Sequence, residues 1–239
     1  VCLVASLRSD PRSASAINKI VNGSSHKLAL RLTLADSGGS AVCERVDEFL
    51  SQFRVKARDC HLIFDLEAPK FDPPEGFSKM LSAIAARIPY IHEWATFTLL
   101  GTSFPSTMGA LTKGAHEIPR HEWEVYKAIL SREIRFGRIP TFGDYCIAHP
   151  DVVSGDMRLV KLAASIRYTI QDRWLIIKGG AFRENPLQVC SFAKSLVASP
   201  FFMGSGFSQA DEHIAKCAQG KTGPGNLSTW RWIGTNHHI

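Results

Sequence analysis

No stretch of this chain stays apolar for the roughly 20 residues that a membrane-spanning helix needs. The longest apolar stretches, at residues 88–91 and 174–177, are strand-sized, so no membrane partner is expected. No basic segment followed by an apolar one opens the chain, and no secretory leader is expected. The six cysteines contain no CxxC pair, which withholds the usual zinc signature. No GxGxxG follows a strand-like segment, which counts against a dinucleotide fold, and no nucleotide motif is present. GxSxG and HExxH are missing, and no cysteine has an obvious histidine partner, so nucleophilic catalysis has no sequence support. A Lys/Arg-rich run is missing too. The 28 Lys and Arg against 22 Asp and Glu leave a net charge of +6, spread along the chain. Such a spread permits nucleic-acid contact without the clustered footprint that would require it.

The composition that is present, 45% hydrophobic and 21% charged, is that of a soluble globular protein. Cys43, Cys146 and Cys190 sit among apolar neighbours, as buried free thiols do. Scattered free cysteines fit a reducing cytoplasm, which is the expected location. The chain opens on Val1 inside a strand-like run, which reads as a fragment or a missing N-terminal part.

Five strand-like segments follow one another, at residues 1–7, 27–34, 60–66, 95–101 and 140–149. Amphipathic stripes separate them. Residues 13–21, 42–53, 77–88 and 119 to about 134 predict helices, the last with Pro119 in its first turn. Strands alternating with helices predict βα units and a parallel sheet, either doubly wound or part of a (β/α)8 barrel. After residue 149 the texture changes. Residues 165–170 and 173–178 predict a hairpin turning at Gln171-Asp172 and closed by Gly179-Gly180. A helix over 185–197 is expected from Asn185-Pro186, and another, through residue 218, from Ser208-Gln209-Ala210-Asp211. The expected division is 1–150 for the βα portion and 151–239 for a hairpin and helix extension packed on it.

Charged residues in or just after apolar strands are the candidates for chemistry, because such charges are rarely buried unpaired. Asp65, Glu67 and Asp144 are candidate catalytic carboxylates, and a divalent metal is the cofactor they would suit. Arg31, Arg120 and Arg167 are candidate anion-binding residues. The competing reading is an ion-pair network that closes the sheet end. Lys178-Gly179-Gly180 lacks P-loop spacing and reads as a turn, and Asp211 reads as a helix cap. His237 and His238 join the anion-binding candidates, although neighbours in an extended chain face opposite ways and seldom bind one ion. The tail from Trp230 to Ile239 is expected to be ordered and largely buried.

Short motifs run in order along the chain: Ser103-Phe104-Pro105, Ile118-Pro119-Arg120-His121-Glu122-Trp123, Phe142-Gly143-Asp144-Tyr145 and Ile166-Arg167-Tyr168-Thr169. Trp174 to Gly179, Phe207-Ser208-Gln209-Ala210-Asp211 and Trp230 to Ile239 complete the series. Together and in this order they resemble the beta protein family of phages and prophages. Ala210 stands where the family usually has glycine, which argues against a tight backbone approach there. The family also has further N-terminal strand units. On the resemblance, the five strands would be the later strands of a TIM-like (β/α)8 barrel, with a C-terminal α+β extension. The missing N-terminal part or another chain would then cover the open sheet edge.

The resemblance implies a phage or mobile-element protein, some relatives of which lie in toxin–antitoxin-like or anti-phage defence cassettes. Two readings follow. In one, the protein is a non-catalytic component that binds a partner protein of such a cassette, or nucleic acid. In the other, it is a TIM-like hydrolase acting on a phosphoester or nucleic acid, with a divalent metal. The first predicts carboxylates neutralised by arginines. The second predicts Asp65 and Asp144 converging on one cleft.

Overall fold

The computed structural model describes residues 1–24, 26–39, 41–131, 136–151 and 162–239. The chain divides into one unit of Val1–Thr102 with His121–Asp144, and another of Ser103–Arg120 with Tyr145–Ile239. Among the described residues, no helix is long and apolar enough to cross a membrane.

The first unit holds β1 (Cys2–Ser6), β2 (Lys27–Thr33), β3 (Cys60–Asp65) and β4 (Phe97–Gly101). After β5 (Gly114–Pro119), which belongs to the second unit, the chain returns for β6 (Thr141–Asp144). These five strands form one sheet in the order β1-β2-β3-β4-β6, with every neighbouring pair parallel. Parallel neighbours need crossovers, and helices supply them. The helices are α1 (Pro11–Gly23), α2 (Leu34–Ser37), α3 (Val42–Phe53), α4 (Pro74–Ala85) and α5 (His121–Leu130). Strand order follows chain order without reversal, so the sheet has no topological switch point of the doubly wound kind. Among the described residues it is not closed: β1 and β6 each have a single neighbour there. The mixed α/β architecture and the parallel sheet are as expected, and all five expected strands are present.

The pleat separates two faces. Leu30, Leu62, Phe64, Phe97 and Leu99 are buried on one face, in a core with Val46, Phe49, Leu81 and Ile129 of the helices. The other face carries Arg31, Ile63 and Thr98, paired in register and only partly buried. The apolar stripe of α3 spans the predicted 42–53. The helix expected from 119 begins instead at His121, and residues 132–135 of its expected C-terminal end lie outside those described. Pro119 closes β5, an edge strand paired antiparallel with β8. A proline is tolerated there because an edge strand has one side free of ladder bonds.

The second unit holds a three-stranded sheet in the order β5-β8-β7, built on the hairpin of β7 (Ala163–Ile170) and β8 (Arg173–Ala181). The turn falls at Gln171-Asp172, as expected. Gly179 and Gly180 do not close the hairpin; they continue β8. A Cβ on Gly179 would lie 2.0 Å from Gln188 Oε1 and 2.6 Å from Phe192, so the glycine lets the next helix pack against the strand. That helix, α6 (Gln188–Val197), starts three residues after Asn185 and has no side-chain cap. α7 (Gln209–Ala218) is capped by Ser208, as predicted. The tail is not extended but a helix, α8 (Leu227–His238), capped by Asn226 and Thr229. Trp230 and Ile233 of α8 are buried with Ile166 and Tyr168 of β7 and Val189 of α6, while Trp232 is exposed.

Gly234 sets how closely α8 lies on β7. A Cβ there would meet Ile147 Cδ1 at 2.7 Å and the Arg167 carbonyl oxygen at 2.9 Å. Gly234→Ala is expected to destabilise the protein by about 1–3 kcal/mol through this overpacking, read as a lowered Tm in thermal unfolding.

Candidate functional site

Two polar clusters stand out, one in each unit. In the first unit, Arg31 projects from the less covered face of β2, and Asp65 ends β3 on the same face. Arg31 Nε donates to Asp65 Oδ2 at 2.6 Å, and its Nη2 donates to Glu67 Oε1 at 3.0 Å. The chain turns just past β3, with Glu67 in the left-handed region at φ 60°. The Glu67 N–H donates to Asp65 Oδ1 at 2.8 Å, which holds that turn. Asp65 is fully buried, whereas the Glu67 side chain is 52% exposed. The positive charge that a divalent ion would bring between two carboxylates is here supplied by a guanidinium.

Asp144 is placed differently. It ends β6 opposite Gly101, and Phe142, two residues earlier, pairs with the buried Leu99. The pleat therefore puts Asp144 on the helix-covered face with Phe142, which packs edge-on to Trp123 of α5. Asp65 pairs with Leu100, whose register partner is Gly143, so it lies on the opposite face. The structure brings Arg31, Asp65 and Glu67 together and leaves Asp144 out.

The remaining candidates belong to the second unit. Arg120 is nearly buried, its guanidinium 5.5 Å from the Trp174 ring centre and its Nη1 donating to the Gln171 carbonyl. Arg167 lies 5.2 Å over the Phe104 ring and donates to the Ile147 carbonyl at 3.0 Å. Among the described residues, no carboxylate pairs with Arg167. Burial, and then the like charge of Arg231, pull its guanidinium down to about 10.

His237 is drawn into a network that sequence reasoning missed. Asp211, read as a cap, is fully buried and central to it. Tyr168 Oη donates to Asp211 Oδ1 at 2.7 Å, while Ser208 Oγ, at 2.6 Å, and His237 Nδ1, at 2.9 Å, meet Oδ2. Tyr168 Oη also accepts from the Met203 N–H, and its ring stacks on the His237 ring at 3.6 Å. His237 Nε2 lies 2.9 Å from the Thr169 carbonyl, which can only accept, so Nε2 carries a proton. Nδ1 faces Asp211 Oδ2, so an imidazole and a carboxylate meet in the interior. His238 Nδ1 lies 2.7 Å from Thr169 Oγ1, and Asn236 Oδ1 accepts from the Ala210 N–H at 2.9 Å. Asn236 of α8 thus reaches the backbone at Ala210 through its side chain. Adjacent histidines on a helix point about 100° apart, so each reaches a different partner.

The residues that meet here come from Arg167-Tyr168-Thr169, Phe207 to Asp211 and the tail, three of the motifs read in the sequence. The profile of the family described as Beta protein matches residues 4–239. The chain belongs to the Beta protein family. No curated protein and no solved structure matches it. The Beta protein motifs were the sequence signal for this network: with Tyr168 43 and His237 26 positions from Asp211, they mark segments that the fold brings into contact.

Burial alone would push the Asp211 carboxyl up, but the hydrogen bonds from His237, Ser208 and Tyr168 outweigh it and hold it below its usual value. Burial also raises the Tyr168 hydroxyl. Because Asp211 titrates lower folded than unfolded, its stabilisation is complete above the unfolded value of about 4. It is lost as pH falls through the folded one. Asp211→Asn disrupts a fully buried carboxylate that meets Tyr168, Ser208 and His237, and is expected to cost about 3–5 kcal/mol at neutral pH in chemical denaturation. The same variant should lose less stability than the parent between pH 5 and 2, flattening the acid limb, on the scale of about one Asp group. Tyr168→Phe removes one donor to Asp211 and is expected to cost about 1–3 kcal/mol in the same measurement.

Proposed function

We propose that this Beta protein works by binding a partner, as a component of an anti-phage defence or toxin–antitoxin-like system carried by phages and mobile elements. The observation that carries this reading is the use of Arg31 by both Asp65 and Glu67, with Asp144 on the other face of the sheet. A shared acid–base or metal site needs its carboxylates to converge with charge to spare. Here Arg31 takes up the charge of the buried Asp65 and is shared with the half-exposed Glu67, and the third carboxylate lies on the other face of the sheet. The family assignment supports the setting, and the internal bonding of the tail supports a structural role for His237 and His238.

The partner surface that meets the second unit is expected to be acidic or to carry phosphate. Arg167 is half-buried with no carboxylate partner among the described residues, and Arg231 adds a second positive charge to its surroundings. Such a pair is completed by an outside anion. The partner is a protein of the same cassette; nucleic acid is the competing outcome. The sheet is proposed to be a segment of a TIM-like barrel, on the ground that its strands follow chain order without reversal and its less covered face carries Arg31 and Thr98.

A phage-challenge assay in cells carrying the cassette separates binding from hydrolysis. Glu67→Gln removes a half-exposed carboxylate and is expected to keep both protection and folding. A hydrolase using that carboxylate would instead lose roughly 100-fold or more in rate, and protection with it, at unchanged Tm. Arg231→Glu is expected to weaken protection and to reduce co-purification of the cassette partner without lowering Tm. Protection that survives Arg231→Glu but fails in Glu67→Gln would overturn the proposal.

A further inference from the structure

Cys190 and Cys217, 27 residues apart in sequence, meet where α6 and α7 pack in the second unit, with their sulfurs 3.2 Å apart. Cys217 is buried and also directs its thiol to the Gly223 carbonyl, whereas Cys190 is half-buried. Thiols scattered in a sequence have no reason to touch, and two on separate helices do so only where packing sets them face to face. We propose that Cys190 and Cys217 form a thiol-oxidation site that closes to an intramolecular disulfide on reaction with a small-molecule disulfide. The sulfurs need to approach by only about 1.2 Å to reach bonding distance.

The order of events follows from burial. The Cys217 thiol is pushed up to about 12, first by burial and then by its contact with Cys190, so it is a poor first nucleophile. The Cys190 thiolate attacks one sulfur of the small disulfide; a Cys190 mixed disulfide forms and one small thiolate leaves. Cys217 then gives up its proton and attacks the Cys190 sulfur, and the second small thiolate leaves. Two protein thiols are oxidised, one small disulfide is reduced to two thiols, and the two protons pass to those thiols. The bond ties α6 to α7, the helix that carries Asp211. This inference is independent of the proposed partner and of the role of Glu67.

The test incubates the native chain with excess oxidised glutathione, quenches with acid, and counts thiols by maleimide labelling after unfolding. Cys190 and Cys217 are expected to lose maleimide labelling together and to carry no glutathione, whereas the exposed Cys2 and Cys43 carry at most separate glutathione adducts. Peptide mapping should recover a Cys190–Cys217 link, and the oxidised form should melt roughly 5–10 °C higher. Cys217→Ser is expected to stop at a stable glutathione adduct on Cys190. If that variant does not fold, Cys190→Ser serves, and its buried Cys217 should stay unmodified. Maleimide labelling of Cys190 and Cys217 retained after incubation, a persistent mixed disulfide on Cys190 in the parent chain, or a link between other cysteines would each overturn the proposal.

Discussion

A carboxylate with no exposed surface must be fully hydrogen-bonded or it costs several kcal/mol, and Asp211 is such a group. Its donors come from three places: Tyr168 on β7, Ser208 at the cap of α7, and His237 on α8. None can be supplied by its own helix interior. Satisfying one acid therefore fixes a strand and two helices at once. The flanking contacts extend the same constraint, since Asn236 caps the Ala210 N–H and His238 meets Thr169. Gly234 follows from it as well. α8 must lie close enough on β7 for His237 to reach both Asp211 and the Thr169 carbonyl, and a side chain at 234 would hold it off.

The first unit obeys the same rule with a weaker outcome. Asp65 is buried, so it needs Arg31, and Arg31 has a second fork to offer Glu67. Glu67 is half exposed, and an exposed ion pair contributes about 0–1 kcal/mol. Its presence is better explained by geometry. The left-handed turn at Glu67 points its N–H back at Asp65 Oδ1, so the backbone, not the carboxylate, completes the buried acid's bonding. Removing the Glu67 charge should thus disturb little, which makes it a clean probe of chemistry as distinct from stability.

Regular elements with a strong period were legible in the sequence. The five parallel strands, the stripe of α3, the hairpin at Gln171-Asp172 and the Ser208 cap all appear where their patterns predicted. What failed had a tertiary cause. β5 alternates too weakly to show by itself and exists because β8 offers it a ladder. Gly179 and Gly180 look like a turn, yet both continue β8, and Gly179 serves the close packing of Gln188 and Phe192. The tail, with Gly234, Thr235, Asn236 and two histidines in succession, has low helix propensity there, and tertiary bonding to Asp211 and Thr169 overrides it.

The same distinction explains which site residues could be read. Arg31, Asp65 and Glu67 were visible because a charge inside an apolar strand is conspicuous, and they do meet. Asp144 was conspicuous for the same reason but lies on the other face, which turns on strand register and so on the pairing of β4 with β6. Asp211 was hidden because an acid three residues after a serine is explained by capping alone. Its second oxygen and its burial depend on a tyrosine 43 positions earlier and a histidine 26 later. Local rules account for one hydrogen bond of an acid; only the fold accounts for the rest. An acid that satisfies a local rule is therefore no less a candidate for a buried network than one that violates it.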